Sequence, residues 1–324
     1  MIPAVSVIIP TYNRRAMVRE AFASVLAQRA ADFELIVVDD GSTDGTGALL
    51  AELAEVKVER TDHRGPAAAR NRGVEVATAP LIAFLDSDDL WEPDKLHRQL
   101  AFMRRFPDCA ISQTAEIWLR DGRRVNPGLR HLKRAGDIFL DSLRTCLISP
   151  SAVIMKTELF HARGGFDEAL AAAEDYDLWL RILVDHEVGL LAEPLVMRRA
   201  GHSDQLSSSI PAIDRFRVLA LMKLLTSDRL TPARRAAVVE VLIEKCGILA
   251  KGASRRGHAA EANLYQLVQD AASSWQICAD EALAKFIATM PILRERSPAC
   301  IRENLPMPDI AAGRSRTNSA GRAA

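Results

Sequence analysis

The sequence carries no surplus of charge of either sign, because 42 Lys and Arg residues balance 42 Asp and Glu residues over 324 positions. Proteins that grip nucleic acid or an anionic membrane need a basic surplus, so neither is predicted as the main partner. No apolar run approaches the roughly 18 residues of a membrane-spanning helix, and the first residues lack the pattern of a signal peptide. These absences predict a cytoplasmic protein without a transmembrane segment, and they leave a peripheral position at the membrane open.

Cysteine is scarce as well, with five residues in the chain and no Cys-x-x-Cys pair. An odd number of cysteines without paired spacing favours neither a disulfide framework nor a zinc site. The sequence also lacks a Gly-x-x-x-x-Gly-Lys segment, which excludes a P-loop nucleotide site. Hydrophobic residues make up 48% of the chain and charged residues 26%, a composition typical of a protein with a buried core.

In the first half of the chain, short β-branched runs alternate with segments of helical periodicity. Strands are predicted at residues 5–9, 33–38, 56–60 and 81–85, and helices follow the first strand and cover 43–55 and 67–76. Asn13 is placed to cap the first helix. Apolar strands separated by helices predict an α/β fold, in which a mostly parallel sheet is flanked by helices on both faces.

The second half of the chain is less regular and then becomes helical. Within residues 104–199, a strand is predicted at 149–155 and an amphipathic helix at 175–184, and beyond residue 214 only helical spacing continues. We therefore predict an α/β domain at 1–210, a helical C-terminal extension at 211–304 and a disordered tail at 305–324. The extension is expected to pack on the α/β domain, and the alternative is a docking platform for an acceptor-bearing protein, a second subunit or the membrane surface.

Polar side chains follow the predicted strands at the points where they end. They are Thr11, Tyr12 and Asn13 after the first strand, Asp39 and Asp40 after the second, and Asp86, Ser87, Asp88 and Asp89 after the strand at 81–85. Ligands of open parallel sheets bind beyond the carboxyl ends of the strands. We therefore expect these three groups of side chains to converge on one crevice.

The acidic segment at 86–89 is the most informative of the three groups. Carboxylates that lie so close together repel one another unless a cation lies between them. Hard divalent cations such as Mg²⁺ and Mn²⁺ take oxygen ligands and are often held by one or two carboxylates together with substrate phosphates. The segment therefore predicts a metal site. The alternatives are that these acids cap a helix that begins near Pro93 or fill a solvated loop.

Two further groups can carry chemistry. The ring of Tyr12 can stack on a nucleobase and the carboxylate of Asp39 can accept the imide N–H of uracil or thymine. The alternative is a ring packed over a loop beside an ordinary Asp-Gly turn. Glu174 and Asp175 begin the helix predicted at 175–184. They either face the crevice as catalytic acids or stabilise the helix dipole by about 0.3–1 kcal/mol.

Six motifs, in this order, resemble those of the family 2 glycosyltransferases, which have the GT-A fold. The resemblance spans residues 5–207 and rests on VSVIIPTYN at 5–13, ELIVVDDGSTD at 34–44, GPAAARNRG at 65–73, LDSDD at 85–89, GGFDE at 164–168 and EDYDLW at 174–179. It implies a GT-A domain that binds a nucleotide-sugar donor through Pro10, Tyr12, Asp39, Arg70 and Asp86.

The resemblance also implies the catalytic parts of the site. Asp88, assisted by Asp86 or Asp89, would bind Mn²⁺ or Mg²⁺ on the donor diphosphate, with His202 close by. Asp175, next to Glu174, would be the general base of an inverting transfer. The acceptor side would be lined by Gly165, Phe166 and Asp167.

By this resemblance the chain is expected to be a metal-dependent inverting glycosyltransferase of cell-surface polysaccharide synthesis. It would move a sugar from a nucleoside diphosphate, first of all uridine diphosphate (UDP), to a hydroxyl of a glycan, lipid-linked or protein acceptor. Two alternatives stay open: a non-catalytic sugar-nucleotide binder or scaffold, and a nucleotidyltransferase. The latter normally has a Gly-rich phosphate loop after the first strand, where this chain has residues 10–13 as PTYN.

Overall fold

The computed structural model describes residues 2–53, 56–201, 210 and 212–273. Within this part of the chain, nine strands join in one sheet that is flanked by helices. In chain order the strands are β1 Val5–Thr11, β2 Phe33–Asp39, β3 Lys57–Arg60, β4 Leu81–Phe84, β5 Leu90–Trp91, β6 Ile111–Arg120, β7 Arg123–Val125, β8 Val153–Lys156 and β9 Gly189–Ala200.

The helices are interspersed with the strands as far as β9, and after β9 they follow one another. They are α1 Arg15–Leu26, α2 Thr46–Ala51, α3 Pro66–Glu75, α4 Lys95–Arg105, α5 Phe139–Arg144, α6 Thr157–Ala162, α7 Glu174–Leu183, α8 Asp214–Leu225, α9 Pro232–Arg255 and α10 Ala259–Ser273. Short 3₁₀ turns lie at Leu129–His131 and Pro150–Ala152.

The strand order in the sheet is β3-β2-β1-β4-β8-β6-β9-β5, with β7 paired to β6. The first four strands of the chain are parallel to one another. Beyond β4 the sheet is mixed, because β8 runs antiparallel to both β4 and β6 while β9 runs parallel to β6. The predicted α/β fold is confirmed, and the irregular segment at 104–199 is the part that supplies the mixed half of the sheet.

Both faces of the parallel half are covered, as the apolar strands predict. In β1 the side chain of Ile8 packs into the core on one face and those of Val7 and Ile9 into the core on the other, all without exposed surface. This follows from the alternation of side chains along a strand. Helix α3 crosses β1 so closely that a Cβ atom at Gly73 would lie 2.4 Å from Cγ2 of Ile8, so glycine is required there.

Two predicted elements differ from the observed ones. The helix predicted at 43–55 is observed only at Thr46–Ala51, because Gly45 before it has a φ of +87°, which a helix does not allow. The strand predicted at 149–155 begins only at Val153. Pro150 starts a 3₁₀ turn there, since a proline cannot donate to a strand ladder.

The helices after β9 pack on the α/β domain as far as they are described. Side chains of α8, α9 and α10 belong to the same apolar core as Ile8 of β1. Ion pairs join Arg144 of α5 to Glu240 and Glu244 of α9 at 2.6 and 3.1 Å. The domain limits stay a prediction, and the predicted tail at 305–324 lies outside the described residues. None of the helices described here is both long enough and apolar enough to cross a bilayer.

Lys95, at the start of α4, is a buried cation behind the acidic segment. Its side chain has no exposed surface, and its Nζ lies 3.7 Å from the centroid of the Trp91 ring. No hydrogen-bond acceptor among the described residues meets this Nζ. Burial lowers the pKa of the ammonium well below its usual range, because the charged form loses its hydration.

We expect Lys95→Met to raise the free energy of unfolding by about 1–2 kcal/mol at pH 7, since an unpartnered buried polar group costs about 1–3 kcal/mol. The unfolded lysine keeps a proton that the folded one loses, so the wild type gains stability as the pH rises toward the ordinary lysine pKa of about 10.4. The difference in the free energy of unfolding between the variant and the wild type should therefore be smaller at pH 9.5 than at pH 7. Urea denaturation at both pH values measures it, and a variant less stable than the wild type at pH 7 would contradict the prediction.

Candidate active site

A cavity of about 530 Å³ opens at the carboxyl ends of β1, β2 and β4. The start of α3, the start of α7 and the end of β9 complete its wall. The predicted site residues that line it are Pro10, Tyr12, Arg70, Asp86, Asp88, Asp89, Glu174 and Asp175. Residues from position 10 to position 175 are thus brought together around one cavity.

The loops that follow β1 and β2 are tied to each other through Asn13. The Oδ1 atom of Asn13 accepts the backbone N–H of Thr43 at 2.7 Å, and the N–H of Asn13 donates to Oγ of Ser42 at 2.9 Å. Helix α1 begins at Arg15 without a side-chain cap. The prediction that Asn13 caps this helix is therefore wrong: its side chain instead bonds to the loop after β2, and its φ is +50°.

The acidic segment after β4 forms a compact cluster. Carboxylate oxygens of Asp86, Asp88 and Asp89 lie within 4.8 Å of one another. Oγ of Ser151 donates to Oδ2 of Asp89 at 2.6 Å and accepts the N–H of Asp86 at 3.1 Å, and the N–H of Arg199 donates to Oδ1 of Asp89. The 3₁₀ turn at Pro150–Ala152 thus holds the cluster in place. Helix α4 begins later, at Lys95, and the three acids do not cap it.

Negative charge in this cluster is only partly balanced by arginine. Arg14 pairs with Asp88 at 2.9 Å and Arg70 pairs with Asp86 at 2.7 Å. Burial and the charges of Asp88 and Asp86 still raise the pKa of Asp89 well above its usual range. Three carboxylates with this spacing and this excess of negative charge fit a hard divalent cation, for which oxygen ligands are preferred.

Arg70 connects the acidic cluster to the start of α7. Its guanidinium donates to Oδ1 of Asp86 and to Oε1 of Glu174, both at 2.7 Å, and it is almost fully buried. Burial acts against its charge, but the two carboxylates outweigh burial and raise its pKa. For Glu174, burial dominates over Arg70 and raises the pKa of the carboxyl group. The carboxylate of Glu174 is therefore held by Arg70, and its catalytic role stays a prediction.

Asp175 is the second carboxylate at the start of α7 that lines the cavity. The preceding residue, Ala173, has a φ of +60°, which turns the chain sharply into the helix. Oδ1 of Asp175 accepts the N–H of Tyr176 at 2.7 Å, and its side chain is half-buried in the cavity wall. The thiol of Cys146 lies 3.6 Å from its Oδ2, and burial together with Asp175 raises the pKa of that thiol. The thiol therefore stays protonated beside the carboxylate.

The opposite end of the cavity carries an aromatic wall. The ring of Tyr12 stacks on that of His63, with centroids 3.8 Å apart and an angle of 16° between the planes. Nδ1 of His63 pairs with Oδ2 of Asp40 at 2.9 Å, and the N–H of Gly65 donates to the same carboxylate at 2.7 Å. Tyr12 is 40% exposed, so one face of its ring is open to a planar ligand.

Asp39 lies next to this wall but outside the lining of the cavity. Its side chain is 1% exposed, and its Oδ1 accepts the N–H of Ser42 at 2.9 Å. Its Oδ2 lies 3.9 Å from Nε of Arg60 and has no hydrogen-bond partner among the residues described. The contact between Asp39 and a nucleobase stays a prediction.

The residues predicted for the acceptor side do not line the cavity. Phe166 is 2% exposed and packs in the core, and Asp167 pairs with Lys223 of α8. The carbonyl of Gly165 accepts a hydrogen bond from Arg181 at 2.7 Å. The contact of Gly165 ties the loop before α7 to α7 itself, and that of Asp167 ties it to α8. His202, predicted to lie close to the metal, is outside the described residues.

Several residues around the cavity were missed by sequence reasoning. Arg198 lines the cavity with its guanidinium over the Trp118 ring at 5.0 Å. Burial acts against its charge, but nearby carboxylates, Glu116 first among them, outweigh burial and raise its pKa. Arg14 and Ser151 hold the acidic cluster as described above. No local pattern marks these three residues, because the contacts described for them join positions that are 62 to 80 apart in the chain.

The sequence profile of glycosyl transferase family 2 matches residues 6–162. A relative from Escherichia coli, "UDP-Glc:alpha-D-GlcNAc-diphosphoundecaprenol beta-1,3-glucosyltransferase WfgD", is 31% identical over 193 residues, which are 58% of this chain and 72% of that protein. Two other curated relatives are 37% and 36% identical over 188 residues. They are longer proteins, and this chain spans 31% of the length of each.

Solved structures with the same fold include glycosyltransferases with bound donors. TarS residues 1–349 of Staphylococcus aureus, in complex with UDP-GlcNAc, has a TM-score of 0.58 and 18% identity, covering 85% of this chain and 92% of that one. The mannosyltransferase PcManGT of Pyrobaculum calidifontis, in complex with GDP-Man and Mn²⁺, has a TM-score of 0.54 and 20% identity, with 91% and 87% covered. At these identities the likeness extends to the fold alone.

Proposed function

The chain belongs to glycosyl transferase family 2, and from this premise we propose that it transfers a sugar from a nucleoside diphosphate to an acceptor hydroxyl with inversion at the anomeric carbon. One observation carries the proposal. A single cavity is lined by an acidic cluster, by arginines and by the half-buried carboxylate of Asp175. Such a cavity has a place for a cation-bound diphosphate and, facing it, a base for the attacking hydroxyl.

Asp175 is proposed as the general base. Its carboxylate takes the proton from the acceptor hydroxyl while that oxygen forms a bond to the anomeric carbon. The bond from the same carbon to the diphosphate oxygen breaks, and its electron pair leaves with the nucleoside diphosphate. Because attack and departure occur on opposite faces of the carbon, one displacement inverts its configuration. Glu174 does not compete for this role, since Arg70 holds its carboxylate.

Charge on the departing diphosphate must be neutralised by groups of the same cavity. Asp88, with Asp86 or Asp89, is proposed to hold Mn²⁺ or Mg²⁺, which when bound supplies positive charge to the diphosphate oxygens. Arg198 and Arg14 line the same wall and add positive charge that is already in place before the reaction, so that no reorganisation is needed as charge develops.

The donor is proposed to be a UDP-sugar. The open face of Tyr12 can stack on the base, and a solved structure of the same fold holds UDP-GlcNAc. The acceptor is proposed to be a glycan or a lipid-linked sugar, because the relative WfgD is named for transfer to a sugar on a diphosphate-linked lipid. The catalytic unit is proposed to be residues 1–210, with the helices after it as a support.

A donor panel tests the proposed reaction. The purified chain is incubated with UDP-glucose, UDP-GlcNAc, UDP-galactose and GDP-mannose, each with Mn²⁺, with Mg²⁺ and with EDTA, and the release of nucleoside diphosphate is measured. We expect UDP to be released from at least one UDP-sugar, faster with Mn²⁺ or Mg²⁺ than with EDTA. Absence of release and of binding for every donor would contradict the proposal. Release that is equal in EDTA would contradict its metal-dependent part.

A further inference from the structure

One segment beside the cavity is strongly basic although the whole chain is neutral. Residues 120–134, here called the basic lobe, contain five arginines and one lysine against a single acid, Asp121. They form the end of β6, the strand β7 and the 3₁₀ turn at Leu129–His131. Neutrality of the chain therefore hides a local concentration of positive charge, and it is this local field that acts on a charged surface nearby.

Three of the six cations in the basic lobe are not used inside the described part of the protein, whereas Arg134 pairs with Asp141 at 2.7 Å. Arg120 and Arg123 face each other across the β6–β7 hairpin, with Arg124 next to them, and all three are exposed. None of the three forms an ion pair with the residues that the structure describes. Lys133 differs from these arginines because it forms an ion pair: its Nζ lies 3.0 Å from the buried carboxylate of Glu116. The hairpin thus presents a row of unneutralised guanidinium groups to the outside.

The same lobe exposes large apolar side chains between its cations. Leu129 is 81% exposed and Leu132 is 48% exposed. The 3₁₀ turn that carries Leu129 is held against β6, since the ring of His131 lies 5.3 Å from that of Trp118. Leucines that protrude from a fixed turn among arginines are typical of a surface that enters the interface of a membrane, where apolar side chains meet acyl chains and cations meet headgroups.

The basic lobe also adjoins the cavity. Trp118, two residues before Arg120 on β6, carries the guanidinium of Arg198 over its ring at 5.0 Å, and Arg198 lines the cavity. Glu116, on the same strand, holds Lys133 of the lobe. The lobe is therefore linked to the cavity through the contact between Trp118 and Arg198.

We propose that the basic lobe binds the protein to an anionic lipid surface, with Arg120, Arg123 and Arg124 on the headgroups and Leu129 and Leu132 inserted at the boundary of the acyl chains. The exposed leucines favour a lipid surface over nucleic acid. The phosphates of nucleic acid would contact only the arginines and would leave the leucines without an apolar partner. The proposal concerns binding and does not depend on the transfer reaction proposed above.

Vesicle flotation tests the proposal with the full chain. Vesicles of phosphatidylcholine and phosphatidylglycerol are compared with vesicles of phosphatidylcholine alone. We expect the wild type to float with the anionic vesicles and not with the neutral ones. Arg123→Gln/Arg124→Gln should weaken the binding about 30-fold, because each arginine at an anionic surface contributes about 1 kcal/mol. Leu129→Ser should weaken it several-fold while the charge is unchanged.

Matched controls come from the C-terminal helices. Arg255→Gln/Arg256→Gln removes another adjacent pair of exposed arginines, and Leu267→Ser removes a leucine that is 63% exposed. Both are expected to float like the wild type. The proposal is overturned if the wild type does not bind anionic vesicles, if the lobe variants bind as well as the controls, or if a short duplex DNA is bound through the lobe while vesicles are not.

Discussion

Replacing Asp175 by Asn is expected to lower kcat by about a thousandfold, while the affinity for UDP changes by less than about twofold. Asparagine has the same size and can still accept the N–H of Tyr176, as the carboxylate does at 2.7 Å. It cannot take a proton from the acceptor hydroxyl. The expected loss corresponds to about 4 kcal/mol of activation free energy. Steady-state kinetics and a calorimetric titration with UDP measure the two quantities on the same preparation.

A carboxylate outside the cavity provides the control for Asp175. Asp270 is exposed on α10 and bonds to Gln266 of the same helix, so Asp270→Asn should leave kcat unchanged. Wild-type turnover in the Asp175→Asn variant would show that another group is the base. If the variant instead lost UDP binding together with turnover, Asp175 would be needed to shape the site and not to remove a proton.

Replacing Asp88 by Asn is expected to lower kcat/KM by about a hundredfold or more and to abolish the strengthening of UDP binding by Mn²⁺. Asp88 belongs to the acidic cluster whose carboxylate oxygens lie within 4.8 Å of one another. An amide in its place removes one negative charge and one hard oxygen ligand. Asp88 is preferred to Asp89 for this test, because Asp89 also accepts hydrogen bonds from Ser151 and Arg199 that support the loop.

Asp62→Asn is the matched control for Asp88, since Asp62 is an exposed acid in the loop after β3 and does not line the cavity. Calorimetric titrations of UDP with and without Mn²⁺ are compared for the wild type and both variants. The control should keep the full effect of Mn²⁺. If Mn²⁺ strengthened UDP binding as much in the Asp88→Asn variant as in the wild type, Asp88 would not be a ligand of the metal.

The parallel half of the fold could be predicted from the sequence because its signals are local. Apolar β-branched runs such as the one that contains Ile8 can form little else than buried strands, and the polar groups after them follow from the topology. The mixed half could not be predicted in the same way. Its strand β9 includes Pro194 and exposed positions, and it pairs with β6 through two shifts in register.

Within the site, the residues that line the cavity were predicted better than the contacts that these residues make. Asp86, Asp88, Asp89 and Asp175 line the cavity as expected. Glu174, next to Asp175, looks equivalent in the sequence, and only the contact with Arg70, 104 positions away, separates the two acids. Local sequence shows which groups can carry charge, whereas long-range packing decides which of them stay free.

The same distinction applies to the loop before α7 and to the basic lobe. Phe166 and Asp167 match a family motif, but their observed contacts are with the core and with Lys223 of α8. Net charge also says nothing of where charges lie. The balance of 42 cationic and 42 acidic residues gave no sign that Arg120 and Arg123 face each other across a hairpin, with Arg124 next to them.

Anomalous diffraction from a crystal soaked with Mn²⁺ and UDP tests the central claim most directly, because it locates the cation and the nucleotide together. The account predicts a manganese peak within about 2.5 Å of a carboxylate oxygen of Asp88, with the diphosphate beside it and the base against Tyr12. A manganese peak away from the acidic cluster, or UDP bound in a different cavity, would contradict it.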